Sequence, residues 1–470
     1  MKRLLLSVSA AALAVLAGCA SGECKLSDPN SCPSSQICEV VQGRDKPMCF
    51  APVQVEGRVF DLDTNSGVAD ARVTAQDAYG APLGGVALSG SDGRYTLRIS
   101  TERADEQGTP IGSSVTLRAS AKNYQSFPSG VRVPLPIDTA AVTHKDSGSP
   151  WVLSGGPADV GLFKLPQAQL GFPAIRGHVD VSADQGGVLV VAETSSGTGV
   201  SGYGAVADSS GDFVIFNVPP AGYTVRAYSS GVNYAPVDVT VSAGSDVTGV
   251  EIHKTTAATA TVEGDIQLVS AGGLTSTSVI LAVKSTFNAT IARGEVPAGL
   301  RIQGVQSHFA IPGVPDGEYV VLAAFENDEL VRDPNTGTAG TALQSVTVSG
   351  GVAQPAGNFK VTDAIMMVGP GATWLEKTSA TPTFTWQAYP QADTYDVLVF
   401  DAFGNEVWSA LSLTLGSSGN IEVPYSGSTA LQSGKIYQWR AVARAAATPS
   451  GQGGQPISQT EDLRGVFQVE

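Results

Sequence analysis

A five-residue strand with glycine at its centre recurs three times in this chain: Val55-Glu56-Gly57-Arg58-Val59, Ile175-Arg176-Gly177-His178-Val179 and Val262-Glu263-Gly264-Asp265-Ile266. Apolar residues at alternate positions mark a half-buried strand, because successive side chains of an extended backbone point to opposite faces. A glycine inside such a strand suits a bulge or a close approach by another part of the chain. A second landmark follows each opening: Asp92-Gly93-Arg94-Tyr95-Thr96-Leu97, Ser210-Gly211-Asp212-Phe213-Val214-Ile215 and Ser307-His308-Phe309-Ala310-Ile311. In the second and third copies it runs on to Val218-Pro219-Pro220-Ala221-Gly222-Tyr223 and Val314-Pro315-Asp316-Gly317-Glu318-Tyr319. The pattern predicts a hairpin, with an aromatic on the core face, Pro and Gly at the turn and a second aromatic returning. A closing strand ends each copy, around Val160-Gly161-Leu162-Phe163, Val247-Thr248-Gly249-Val250 and Ala356-Gly357-Asn358-Phe359. The copies are too long for solenoid repeats and read as tandem domains. A chain of 470 residues needs several cores in any case.

The opening strand, the segment Gly67-Val68-Ala69-Asp70-Ala71-Arg72-Val73 and the turn Ser91-Asp92-Gly93-Arg94-Tyr95 resemble the carboxypeptidase regulatory-like domain. The resemblance covers residues 53–165, extends over 173–255, and is loosest over 259–362, where the Gly-x-Ala segment is missing. It implies a seven-stranded, prealbumin-like sandwich of a kind common in secreted bacterial proteins. That domain is a non-catalytic accessory of peptidases, and no zinc-peptidase catalytic region accompanies it here. The first copy departs by inserting polar stretches, near Thr101 to Pro110 and Pro136 to Gly156, expected as loops on the sandwich.

The C-terminal part has a different grammar. Pro382-Thr383-Phe384-Thr385-Trp386 leads to Tyr395-Asp396-Val397-Leu398-Val399-Phe400, a turn at Asp401-Ala402-Phe403-Gly404-Asn405, and Ile436-Tyr437-Gln438-Trp439-Arg440-Ala441-Val442. Tyr395, Val397 and Val399 share one strand face, and Trp386 and Trp439 can fill the space between two sheets. This part resembles a fibronectin type III or immunoglobulin-like sandwich over about residues 372–470; the absence of a cysteine pair favours the fibronectin-like variant.

The first residues give the address. Lys2 and Arg3 precede an apolar run from Leu4 to Leu16, too short to span a bilayer as a mature helix. The tetrad Leu16-Ala17-Gly18-Cys19 resembles the lipobox of bacterial lipoproteins. The resemblance implies cleavage before Cys19 and a diacylglycerol thioether on its sulfur. Two or more acyl chains give stable attachment. Ala20, where an inner-membrane protein of that class has Asp, implies the outer membrane. Cys24, Cys32, Cys38 and Cys49 follow, and no cysteine comes later. In an exported chain an even, clustered set reads as two disulfides. Of three connectivities, Cys24–Cys38 with Cys32–Cys49 is preferred; a four-thiolate zinc site lacks its usual Cys-x-x-Cys pairs.

Catalytic patterns are scarce. There is no Gly-x-Ser-x-Gly, His-Glu-x-x-His or Walker-type loop. The four histidines, His144, His178, His253 and His308, are scattered. Asp61-Leu62-Asp63-Thr64-Asn65-Ser66-Gly67 has the oxygen spacing of a calcium loop, but its glycine comes late and Arg72 stands where a bidentate Glu belongs. A turn in which Asp and Asn cap their own backbone is the favoured reading, with Asp61, Asp63 and Asn65 kept as a weak calcium set. Sugar recognition would need exposed aromatics beside polar groups, and Trp151, Tyr203, Trp374 and Trp408 are the candidates. A net charge of −15 argues against nucleic acid and against a polybasic attachment to anionic lipid.

The expectation is an all-β chain of tandem β-sandwich domains preceded by a small disulfide-stapled Cys-rich segment. Its parts are a leader (1–18), a lipidated Cys19 with a Cys-rich knob (19–52), three repeats (53–172, 173–256, 257–363) and a fibronectin-like sandwich (364–470). The expected function is a non-enzymatic envelope lipoprotein without cofactors, whose tandem sandwiches act as spacer and interaction modules; the alternative is a carbohydrate-binding surface lipoprotein serving polysaccharide capture or adhesion. Its expected partners are a membrane, through its lipid, and an unidentified protein or glycan. Four sandwiches in tandem are expected to form a rod that carries the last one well away from the membrane.

Overall fold

A computed structural model describes residues 22–26, 28, 31–33, 35–77, 80, 82–132, 136–143, 150–181, 187–194, 201–270, 275–324, 328–334, 343–416, 418–446 and 454–470. The leader, Cys19 and His144 lie outside the described residues. The described chain is all-β, with helical character only in four single 3-10 turns.

The Cys-rich knob is a two-stranded ribbon, Ile37–Glu39 against Met48–Phe50, over a small core of Val41, Met48 and Phe50. Disulfides join Cys24 to Cys38 and Cys32 to Cys49, the preferred pairing of the sequence reading. The knob is locked to the first sandwich by a wholly buried ion pair, Arg103 Nε to Glu39 Oε2 at 2.5 Å. Arg103 also donates to the carbonyls of Gly108 (2.7 Å) and Ala51 (3.0 Å), and the Thr101 amide donates to Glu39 (2.8 Å). Burial pushes the Glu39 carboxyl up, against the pull of Arg103. The stretch from Thr101 to Pro110 is therefore a dock for the knob rather than a free loop. The second insertion is corrected likewise: Ile137–Asp138 pairs with Ser114–Ser120, and Val152–Ser154 pairs with the opening strand.

Four two-sheet sandwiches follow. In the first three, the opening strand lies antiparallel to the second landmark and parallel to the closing strand: Val53–Asp61 between Arg94–Ile99 and Val160–Leu162, Ile175–Val179 between Asp212–Ile215 and Val247–Ile252, and Ala260–Ser270 between His308–Val314 and Asn358–Asp363. The second sandwich has seven strands, three facing four. The central glycines face aromatic rings across the ladder: Gly57 pairs with Tyr95, Gly177 with Phe213 and Gly264 with Phe309. A Cβ would lie 2.1 Å from a backbone carbonyl oxygen at Gly57 and Gly177 and within 2.8 Å of the facing aromatic at all three, so close approach explains the repeated glycine.

The expected hairpins are not hairpins. Asp212–Ile215 and Gly222–Tyr228 belong to opposite sheets, as do His308–Val314 and Gly317–Ala323. The Pro-containing corner crosses the sandwich, and both aromatics enter one core from its two sides. Tyr223 and Tyr319 each donate back to a proline carbonyl four residues earlier, Pro219 and Pro315, both at 2.8 Å. In the fourth sandwich Trp386 and Trp439 are fully buried between the sheets, and Trp439 donates to the Pro370 carbonyl at 2.7 Å.

The sandwiches do not form a rod. Leu189 and Val191 leave the second core and join that of the third, while Val188, Val190 and Ala192 of the same run stay in the second. The segment 284–300 covers the outer face of the third sandwich through Phe287, Ala292 and Val296. It then ties three sandwiches together. Ile291 enters an apolar cluster with Val131 and Phe163 of the first and Phe400, Ala402 and Ile436 of the fourth. Arg440 of the fourth donates to the Ile291 carbonyl (2.7 Å), and Arg293 donates to that of Asp462 (2.5 Å). Arg440 is buried and Arg293 partly so, and desolvation, with the nearby Arg440, holds the Arg293 guanidinium down to about 9. Asn217 of the second reaches the carbonyls of Ala121 and Tyr124 in the first at 3.1 and 3.0 Å. The outcome is one body of four lobes.

Candidate functional site

The calcium-like loop has spent its oxygens inside the protein. Asp61 Oδ1 accepts the amides of Asp63 (2.8 Å) and Thr64 (2.9 Å), and Oδ2 accepts the Tyr124 hydroxyl (3.0 Å). Burial alone would raise the Asp61 carboxyl, yet these hydrogen bonds outweigh it and hold it below the ordinary aspartate range. Asn65 takes a left-handed φ of 55° and accepts from Arg58 (3.3 Å). Asp63 is paired with Lys435 of the fourth sandwich. Asp61 caps its own turn, while Asn65 is held by the Arg58 side chain and Asp63 makes a contact between the first and fourth lobes.

The aromatic candidates do not converge. Trp151 packs on the first core, and Tyr203 sits edge-on to Tyr223 in the second at 6.1 Å. Trp408 lies against Tyr425 and Phe384 in the fourth, at 5.1 and 5.9 Å. Only Trp374 among the four is strongly exposed, at 69%. His178, His253 and His308 each meet one aspartate, Asp212 (3.0 Å), Asp180 (3.4 Å) and Asp265 (3.0 Å). Among the described residues, the one cluster of His, Cys, Asp or Glu with metal-sized spacing is Cys24, Cys32 and Cys49, whose sulfurs are in the disulfides.

A cleft of about 1010 Å³ lies between the second and third sandwiches. Its floor is the outer sheet face of the third, where Glu318 stands opposite Thr347 and Val320 opposite Ser345. Glu193, from the end of Leu189–Glu193, and Arg226, from within Gly222–Tyr228, form one wall, 3.3 Å apart. Tyr228 and Ser285 donate to the Glu193 carboxylate at 2.6 and 3.0 Å. Lys284 opposes Glu318 at 2.8 Å. None of these groups was singled out from sequence. They are ordinary surface residue types, and the fold alone brings them together; the doubly buried run Leu189-Val190-Val191-Ala192 was the available hint that this sheet meets a neighbour.

No protein family and no characterised protein matches the chain by sequence. Among solved structures, a streptococcal ancillary pilin aligns over 66% of this chain and 99% of its own, at 10% identity and a TM-score of 0.17. The Bacillus anthracis TIE protein covers 85% and 66%, at 9% identity and a TM-score of 0.14. A DUF3823 family protein from Bacteroides uniformis covers 45% and 100%, at 14% identity and a TM-score of 0.21. At such scores the superpositions carry no weight for family or function.

Proposed function

We propose that the chain is a non-enzymatic, lipid-anchored envelope protein that holds a compact binding body close to the outer membrane. The observation that carries this reading is the spacing between Cys19 and the first described contacts. The Gly22 carbonyl already accepts the Cys49 amide (3.3 Å), and Cys24 is already in a disulfide. Three residues span about 10 Å at most. A diacylglycerol on Cys19 would therefore bring the knob against the headgroups, and the Glu39–Arg103 pair would transmit that position to the first sandwich. The spacer role expected of a rod gives way to a body kept near its membrane. Among the described residues no helix is long and apolar enough to cross a membrane. An acidic surface suits solubility at a crowded envelope.

The test is metabolic labelling of a Gram-negative host with an alkyne fatty acid, comparing the natural chain with Cys19→Ser. Label on the natural chain in the outer-membrane fraction, and an unlabelled, released variant, are the expected results. A variant that keeps both label and membrane attachment overturns the anchor.

A further inference from the structure

The cleft between the second and third sandwiches is charged, and four of its five charges are matched in pairs. Arg226 faces Glu193 and Lys284 faces Glu318, while the fifth, Asp316, sits at the rim, where it accepts the Gly350 amide at 3.0 Å. An anionic ligand would meet Glu193 and Glu318 on entry, and a cation would meet Arg226 and Lys284 between the walls, so neither gains an uncompensated counter-charge at the two pairs; Asp316 lies at the rim with its oxygens on backbone amides. The cleft also does not present a strand edge as its floor: Gln344–Ser349 runs in register with Gly317–Ala323, and the cleft sees the face of that sheet through the side chains of Glu318, Val320, Ser345 and Thr347.

What the cleft offers is donors and acceptors side by side. Ser345 and Thr347 are exposed at alternate positions of one strand, beside the two ion pairs. Phe287 and Val320 add a small apolar patch at the base. A hydroxyl that both donates and accepts can satisfy a carboxylate and a guanidinium together, and a ring with a C–H face can rest on the apolar patch. The pairs hold their side chains in place beforehand, which lowers the ordering cost of binding.

We propose that this cleft binds a neutral polyhydroxylated ligand, an uncharged oligosaccharide, through the Glu193–Arg226 and Lys284–Glu318 pairs and the hydroxyls of Ser345 and Thr347. The proposal rests on the reading of the chain as a binding protein and is independent of its anchor. The cleft owes nothing to Trp151, Tyr203, Trp374 or Trp408.

The test is calorimetric titration of the full chain in mild detergent with cellohexaose, maltohexaose and chitohexaose, and with hexagalacturonate as the charged comparison. At least one neutral hexasaccharide binds with a Kd of about 1 mM or tighter, and hexagalacturonate binds more weakly. Thr347→Trp, which covers the floor from an exposed position, weakens binding about tenfold or more, and Ser428→Trp on the fourth sandwich leaves it unchanged. Thermal unfolding verifies that each variant is folded; should Thr347→Trp fail, the double variant Lys284→Ala/Glu318→Ala takes its place with the same expected loss. The proposal is overturned if the folded chain binds none of the neutral sugars, if the cleft variant binds as the natural chain does, or if hexagalacturonate binds best. Acyl labelling of Cys19 is untouched by any of these outcomes, so the two readings fail separately.

Discussion

Arg118 of the first sandwich and Glu295 of the third meet in a two-pronged ion pair, Nη1 to Oε2 at 2.9 Å and Nη2 to Oε1 at 2.8 Å, across 177 residues of sequence. Side-chain exposure is 11% for Arg118 and 26% for Glu295, so the pair is more than a surface contact. A double-mutant cycle with Arg118→Ala and Glu295→Ala is expected to give a coupling energy of about 1–3 kcal/mol by chemical denaturation. A coupling near zero would mean that the first and third lobes do not touch in solution.

Gly177→Ala tests the repeated glycine. Its Cβ would lie 2.1 Å from the Val250 carbonyl oxygen and 2.8 Å from the Phe213 ring. Overpacking of this kind is expected to cost about 1–3 kcal/mol, read as a lower melting temperature. Gly244→Ala, in an open turn at φ 77°, is strained by its backbone but meets no atom, and serves as the comparison.

Arg103→Ala removes the partner of a carboxylate that is itself 2% exposed. Leaving Glu39 buried and unmatched is expected to cost about 3–5 kcal/mol, with Arg103→Ala/Glu39→Leu recovering part of the loss. Hydrogen exchange at the Gln42 amide, which donates to the carbonyl of residue 103, and at the amide of residue 103, which donates to the Val40 carbonyl, reports whether the knob has come loose.

The hydrogen bond to Asp212 raises the His178 imidazole above its ordinary value. The stabilisation is therefore fully present below about pH 6.5 and is lost as pH rises through the higher folded midpoint. With the His178 side chain 40% exposed, the effect stays within about 1 kcal/mol. An NMR titration is expected to place His178 above a free histidine, and Asp212→Asn to return it.

Much of each sandwich was legible in the residues themselves. Alternation around Gly57, Gly177 and Gly264 marked the opening strands, and the aromatics that cover those glycines were the second landmark of the same repeat. Trp386 and Trp439 declared the fourth core by size alone. The corners after Phe213 and Phe309 misled because an aromatic facing the core looks alike in a hairpin and in a crossing between sheets. The assembly of lobes was illegible for a different reason. Arg118, Glu295 and Lys435 are residue types that water also satisfies, and nothing in their spacing says that a distant strand will meet them. The all-buried run Thr277–Val283 did carry a signal, since a strand without alternation needs cover on both faces. The cleft inherits that illegibility, being made where two lobes meet.

Small-angle X-ray scattering of the released Cys19→Ser protein measures the arrangement of the four lobes most directly. A compact body of this length is expected to have a radius of gyration of about 23 Å, whereas four sandwiches in line would give about 40 Å. A value near the first, unchanged on dilution, is the result expected from the contacts of segment 284–300. A value near the second would contradict the closed body, and with it the cleft and the membrane-proximal reading.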